Sequence, residues 1–130
     1  MNKIIKYLGV DWGEVRIGLA LGDSETKIAT PFKTVENVEN VIKVINDEEI
    51  DLVIVGQPVQ IKNYELKITN EKYNKFISGL KNKISVPVEL VDERLSSKAA
   101  DALPGDKKTK SSRDEIAAML ILQSYLDKKI

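Results

Sequence analysis

The sequence predicts an α/β fold on a mixed five-stranded sheet, three antiparallel strands followed by parallel ones, flanked by helices. Two observations carry this. Residues 4–11 and 16–23 are apolar segments of strand length joined by a short turn that carries glycine, which makes an antiparallel pair. The later apolar runs, 52–56 and 86–92, each follow a segment of helical spacing. A strand that arrives through a helix lies parallel to its sheet neighbour.

The elements follow in order. The first strand, over 4–11, closes on Asp11. The second alternates large Ile17, Leu19 and Leu21 with small Gly18, Ala20 and Gly22, a period of two with one face shaped for close approach. Residues 27–35 make a third strand, and Pro31 places it at an edge because proline cannot donate to a ladder. Val38, Val41, Ile42 and Ile45 recur at i, i+3, i+4 and i+7, which predicts an amphipathic helix over 37–48. Leu52-Val53-Ile54-Val55-Gly56 is a β-branched run typical of a strand buried on both faces. Tyr73, Phe76, Ile77, Leu80 and Ile84 share the stripe of a second helix, and 86–92 form the last strand. Ser96 or Ser97 caps a short helix to about Leu103, broken by Pro104-Gly105. Ser112-Arg113-Asp114-Glu115 reads as a capping box, with Ser112 at the N-cap, and the final helix runs to about Asp127.

Composition narrows the chemistry. The 130 residues predict one domain spanning 1–130. A chain of this size buries roughly two-thirds of its unfolded surface, enough for a core. No apolar run approaches the ~20 residues that span a bilayer, and the N-terminus has no signal-peptide pattern. The expectation is a cytoplasmic protein without membrane contact. The absence of Cys removes disulfides, thiolate catalysis and Cys-ligated zinc. The absence of His removes Ser-His-Asp triads and imidazole bases, leaving carboxylate, Lys, Tyr or a metal-activated water. Net charge is zero but unevenly spread: six Lys/Arg against ten Asp/Glu over 1–60, and fourteen against ten over 61–130. Lys107, Lys108, Lys110 and Arg113 stand just before Asp114, as a polyanion site would require; a solvated basic loop is the plainer reading of these residues alone.

Three acids stand where apolar segments end or a helix begins: Asp11, Glu93 and Asp114. Carboxylates gathered from distant segments suit a hard, oxygen-preferring cation such as Mg²⁺ or Mn²⁺, as in metal-assisted phosphodiester hydrolysis. Taken singly, each has a structural explanation. Asp11 suits a turn, Glu93 a solvated strand end, and Asp114 the positive end of a helix dipole. The functional reading needs all three to converge. Ala117 and Ala118, three and four residues beyond Asp114, let the last helix lie close to the sheet and bring Asp114 toward Asp11.

Four segments resemble the YqgF (RuvX) family in order and over essentially the whole length. They are Leu8-Gly9-Val10-Asp11-Trp12-Gly13 with Arg16-Ile17-Gly18-Leu19-Ala20, then Val55-Gly56-Gln57-Pro58, then Asp92-Glu93-Arg94-Leu95-Ser96-Ser97, and Asp114 through Gln123. The resemblance implies an RNase H-like fold related to Holliday junction resolvases of the RuvC type. It implies metal-binding, catalytic acids at Asp11, Glu93 and Asp114. It implies a hydrolase, with maturation of the 5′ end of 16S rRNA as the main reading and resolution of branched DNA as the alternative. Asp92 is left between binding metal and orienting Glu93 or Arg94. Two stretches depart from the family: Val59 to Tyr64 lacks the usual Gly, and the loop from Pro104 to Ser111 is compact and lysine-rich.

The expected cofactor is one or two Mg²⁺ or Mn²⁺ ions, and the expected partner is nucleic acid, as precursor rRNA, a small-subunit precursor or branched DNA. Arg94, Lys107, Lys108 and Arg113 are expected on phosphates, with Lys110 of the same kind. Arg16 is left between phosphate and an acid, and Trp12 between stacking a base and filling the core. Gly13 and Gly18 are expected to admit substrate backbone or a neighbouring strand. The rival readings are a non-catalytic nucleic-acid-binding domain of the same fold and a fragment of an ATPase using Asp11 and Gly13 at phosphate.

Overall fold

The computed structural model describes residues 3–57, 60–62, 65–67, 71–92 and 110–128. The elements are β1 (Lys6–Trp12), β2 (Ile17–Asp23), β3 (Thr30–Val35), α1 (Val38–Asp47), β4 (Leu52–Gln57), β5 (Gln60–Lys62), β6 (Glu65–Lys67), α2 (Glu71–Lys83), β7 (Val88–Asp92) and α3 (Lys110–Lys128).

Five strands form one sheet in the order β3-β2-β1-β4-β7. The short turn after Trp12 makes β1 and β2 antiparallel, and β3 returns antiparallel to β2. The crossovers through α1 and α2 bring β4 and β7 in parallel to β1 and to each other. The predicted mixed sheet is therefore the observed one. β3 is at the edge, and its ladder shifts register between Leu19 and Ala20, opposite Pro31, where a backbone donor is missing.

The pleat sorts side chains onto two faces. Leu8, Val10, Ile17, Leu19, Val53 and Val55 pack beneath α1 and α2. Ile54 faces the other way and joins Ile121, Leu122 and Leu126 of α3. β4 is thus buried on both faces, as its β-branched run predicts, with Val53, Ile54 and Val55 fully buried. Asn37 caps α1 by accepting from the Asn40 N–H at 2.9 Å.

One element is unannounced and one expectation is corrected. Residues 60–62 and 65–67 pair antiparallel as β5 and β6, which no pattern in the sequence announces. Strands of three residues are too short to display a period. α3 begins at Lys110, so Ser112 lies inside the helix and is not its N-cap. The capping-box pattern describes a possible start, but the backbone is already helical ahead of it. The short helix expected near 96–103 lies outside the described residues.

Candidate functional site

Asp11 sits near the C-terminal end of β1, directly opposite Gly18 of β2, which is itself opposite Thr34 of β3. Two residues before Asp11, on the same face, Gly9 lies so close under α3 that a β-carbon there would stand 2.7 Å from Leu122 Cβ and 2.8 Å from the Ala118 carbonyl oxygen. A β-carbon on Gly18 would collide with the backbone carbonyl of Asp114. Strand alternation and two missing side chains therefore place Asp11 and Asp114 side by side. Asp114 rides on the position next to Asp11 across the ladder, where facing residues are about 5 Å apart. The small face of β2 admits a helix; at Gly18 the close approach belongs to α3 and not to substrate or a further strand. Gly13 serves the turn: a β-carbon there would lie 2.7 Å from the Arg16 carbonyl oxygen.

Because α3 starts earlier than its sequence pattern indicates, Asp114 lies beyond the first turn. The macrodipole, which acts within that turn, no longer accounts for an acid here. Its Oδ2 is buried and accepts no hydrogen bond. Arg16 Nε stands 3.2 Å away, an ion-pair contact in which the N–H is not aligned on the oxygen. The next acid, Glu115, accepts from Thr34 Oγ1 at 3.4 Å, a long bond at the rim of the same face. Sequence reasoning gave Glu115 a capping role and passed over Thr34. Only the register of β3 on β2 brings them to the site, and one strand alone carries no sign of it.

The pleat sends Trp12 to the opposite face from Asp11. Its ring meets Tyr73 edge-on at 5.7 Å and Phe76 at 6.5 Å, so it is a core residue. Asp92 ends β7 opposite Gln57, one residue beyond Val91, which packs on the α3 side. Alternation therefore sets Asp92 toward the other face, away from Asp11. Glu93, Arg94, Lys107 and Lys108 lie outside the described residues, and Arg113 enters only as backbone of α3. Among the described residues no group of three acids is arranged to hold a metal ion. Asp11 and Asp114 are the pair of predicted acids that the described residues bring together.

These two residues fit a hard divalent cation. The donors are carboxylate oxygens, and the buried one accepts no hydrogen bond, its charge being met by the Arg16 guanidinium at 3.2 Å without an aligned N–H.

A sequence profile of RuvX, described as Holliday junction resolvase, matches residues 5–128. A protein of Methylobacillus flagellatus is 37% identical over 131 residues, covering 92% of this chain and 89% of its own. The chain belongs to the RuvX family. That relative and one from Maridesulfovibrio salexigens, 32% identical over 94% of this chain and 98% of its own, both carry the name "Putative pre-16S rRNA nuclease". Among solved structures, Thermus thermophilus RuvC in complex with Holliday junction substrate superposes with a TM-score of 0.62 at 14% identity, over 96% of this chain and 95% of that one. At that identity the likeness speaks for fold, and the RuvX chain has the RNase H-like fold of the RuvC resolvases.

Proposed function

We propose that this RuvX chain is a divalent-metal-dependent endonuclease, a single nuclease domain over 1–130, that processes the 5′ end of precursor 16S rRNA in the cytoplasm. The observation that carries the reading is the docking of Asp114 onto Gly18, beside Asp11, with a carboxylate oxygen buried and without a hydrogen bond. Asp11, Glu93 and Asp114 would hold Mg²⁺ or Mn²⁺, as one or two ions. Support for Glu93 comes from the sequence, where Asp92-Glu93-Arg94-Leu95-Ser96-Ser97 resembles the family's own segment. The bound cation would activate water and offset charge at the scissile phosphate.

The chain's own residues supply position. Gly18 and Gly9 let α3 down onto the sheet and fix Asp114 relative to Asp11. Arg94, Lys107, Lys108 and Arg113 hold phosphates, and Arg16 stands beside Asp114. A precursor RNA substrate, within a small-subunit precursor, is favoured by the names of relatives at 32% and 37% identity over nearly the whole chain. Branched DNA is the second reading, favoured by the family description and by the junction-bound structural neighbour.

The test offers a precursor 16S rRNA 5′ segment and a four-way DNA junction side by side, with Mg²⁺ or Mn²⁺ and with Asp11→Asn as control. RNA cleavage that the variant loses, while its circular dichroism and melting stay native, is the expected result. Cleavage of the junction alone would move the protein to recombination. Binding of either without cleavage would make it a non-catalytic domain of the same fold.

A further inference from the structure

We propose that Arg16 is the built-in counter-ion of the cation site: it occupies Asp114 when no divalent cation is bound and releases it when one arrives, freeing its guanidinium at the substrate edge. The inference rests on the cation-site reading above.

The contact has the geometry of a placeholder. Arg16 Nε is 3.2 Å from Asp114 Oδ2, yet that oxygen accepts no hydrogen bond. Arginine anchors that hold structure together are typically bidentate, with two aligned N–H groups on one carboxylate. Here the guanidinium contributes charge without a directional bond. The Arg16 side chain is 49% exposed and that of Asp114 27%, so the arginine is the more open partner of the pair. An ion pair this open contributes little stability.

The backbone on both sides is held, and the arginine head is not. Asp114 cannot retreat, because its carbonyl is seated in the space that Gly18 leaves open. The Arg16 backbone is fixed by the turn, where its carbonyl packs against Gly13. What remains free to move is the side chain of Arg16 beyond its Cα. A divalent cation coordinates carboxylate oxygen directly and carries twice the charge. It and the guanidinium repel each other at contact distance, so the two compete for Oδ2. The cation displaces the arginine, and the arginine has a route into solvent. Arg16 immediately precedes Ile17, which pairs with Trp12, so the released head stays at the end of the sheet that carries Asp11. A guanidinium freed there can take a phosphate oxygen. Cation binding and the presentation of a phosphate-binding group then become one event.

The alternative is that Arg16 is a staple that orders α3. Isothermal titration of Mn²⁺ into the full chain separates the two without relying on cleavage. The proteins are the wild type, Arg16→Met, Arg16→Gln, Arg16→Lys and Asp114→Asn, each first checked for a native urea transition. Removing the competing charge should tighten Mn²⁺ binding by about fivefold or more in both Met and Gln variants, because a like charge is lost at contact distance. The Gln variant keeps a donor without charge, so it remains informative if the Met variant fails to fold. Arg16→Lys keeps the charge and should stay near the wild type, while Asp114→Asn should lose binding. Neutral variants that bind no more tightly than a wild type which itself binds would overturn the role of Arg16 and leave the cation site standing. Absence of Mn²⁺ binding in every protein, or binding unchanged in Asp114→Asn, would overturn both.

Discussion

Gly18 lies under α3 so closely that even a methyl group there would run into the Asp114 carbonyl. Gly18→Ala must therefore push α3 off the sheet, and overpacking of this kind costs about 1–3 kcal/mol. Urea denaturation should show that loss, and cleavage should fall further than the loss of folded protein explains, because Asp114 moves with the helix. Gly79 provides the contrast. A β-carbon there meets nothing within 4 Å and its position is helical, so Gly79→Ala should stabilise by about 0.4–1 kcal/mol and leave cleavage unchanged. At this scale the sequence was informative but incomplete. The alternation of Gly18, Ala20 and Gly22 with large residues announces a face approached closely, and the two alanines after Asp114 announce a helix able to approach. The pairing of Arg16 with Asp114 and of Thr34 with Glu115 depends on which residues stand opposite one another, which no local pattern contains.

Among elements, α3 matters most, because it brings an acid to the sheet from the far end of the chain. Its apolar side, Ile121, Leu122 and Leu126, packs on Ile54 and Ala29. Its polar lock is Gln123, whose Oε1 accepts from the Ala29 N–H at 2.8 Å and whose Nε2 donates to the Lys27 carbonyl at 3.0 Å and to Asp127 Oδ1 at 3.0 Å. Gln123 thus satisfies two backbone groups of the connection between β2 and β3. Gln123→Ala would leave a part-buried N–H without its acceptor, at a cost of about 1–3 kcal/mol. Thermal melting should register it, and hydrogen exchange should quicken at Ala29 before it does in β1. The strands of the main sheet were legible because each shows a period, a β-branched run or a telling proline. The β5–β6 pair and the true start of α3 were not: one is too short for a period, and the other precedes the pattern that marks a helix start. Tyr125 adds to the packing of α3 on the sheet, its ring 5.9 Å from the ring of Tyr7.

Across the whole molecule the two ends of β1 do different work. At one end Asp11 faces Asp114, and a basic second half of the chain offers charge for a polyanion. Affinity for single-stranded RNA should fall linearly on a log scale with salt, and replacing Lys107 and Lys108 together should flatten that slope by about 1.4 if both contact phosphate. An unchanged slope would take those lysines off the nucleic acid. The other end is held by two carboxylates around Lys6. Asp51 accepts from the Lys6 N–H at 3.0 Å and pairs with Lys3 at 3.2 Å, while Asp23, opposite Lys6, accepts from the N–H groups of Thr26 at 2.7 Å and Glu25 at 3.0 Å. These backbone donors, Thr26 for Asp23 and Lys6 for Asp51, hold both carboxyls below the usual carboxylate range. A carboxyl whose folded pKa is depressed contributes stability above its unfolded value, near 4, and that contribution disappears as pH falls through the lower folded value. Asp23→Asn and Asp51→Asn should therefore destabilise at pH 7, and urea titrations should show the gap to the wild type narrowing as pH falls below the ordinary carboxylate value. Lys6 and Asp11 are roughly 17 Å apart along an extended strand. Below their melting temperatures the two variants should therefore cleave at the wild-type rate. Lost cleavage in a folded Asp51→Asn protein would mean that the two ends of β1 are coupled, and that the acid-labile clamp is part of the site.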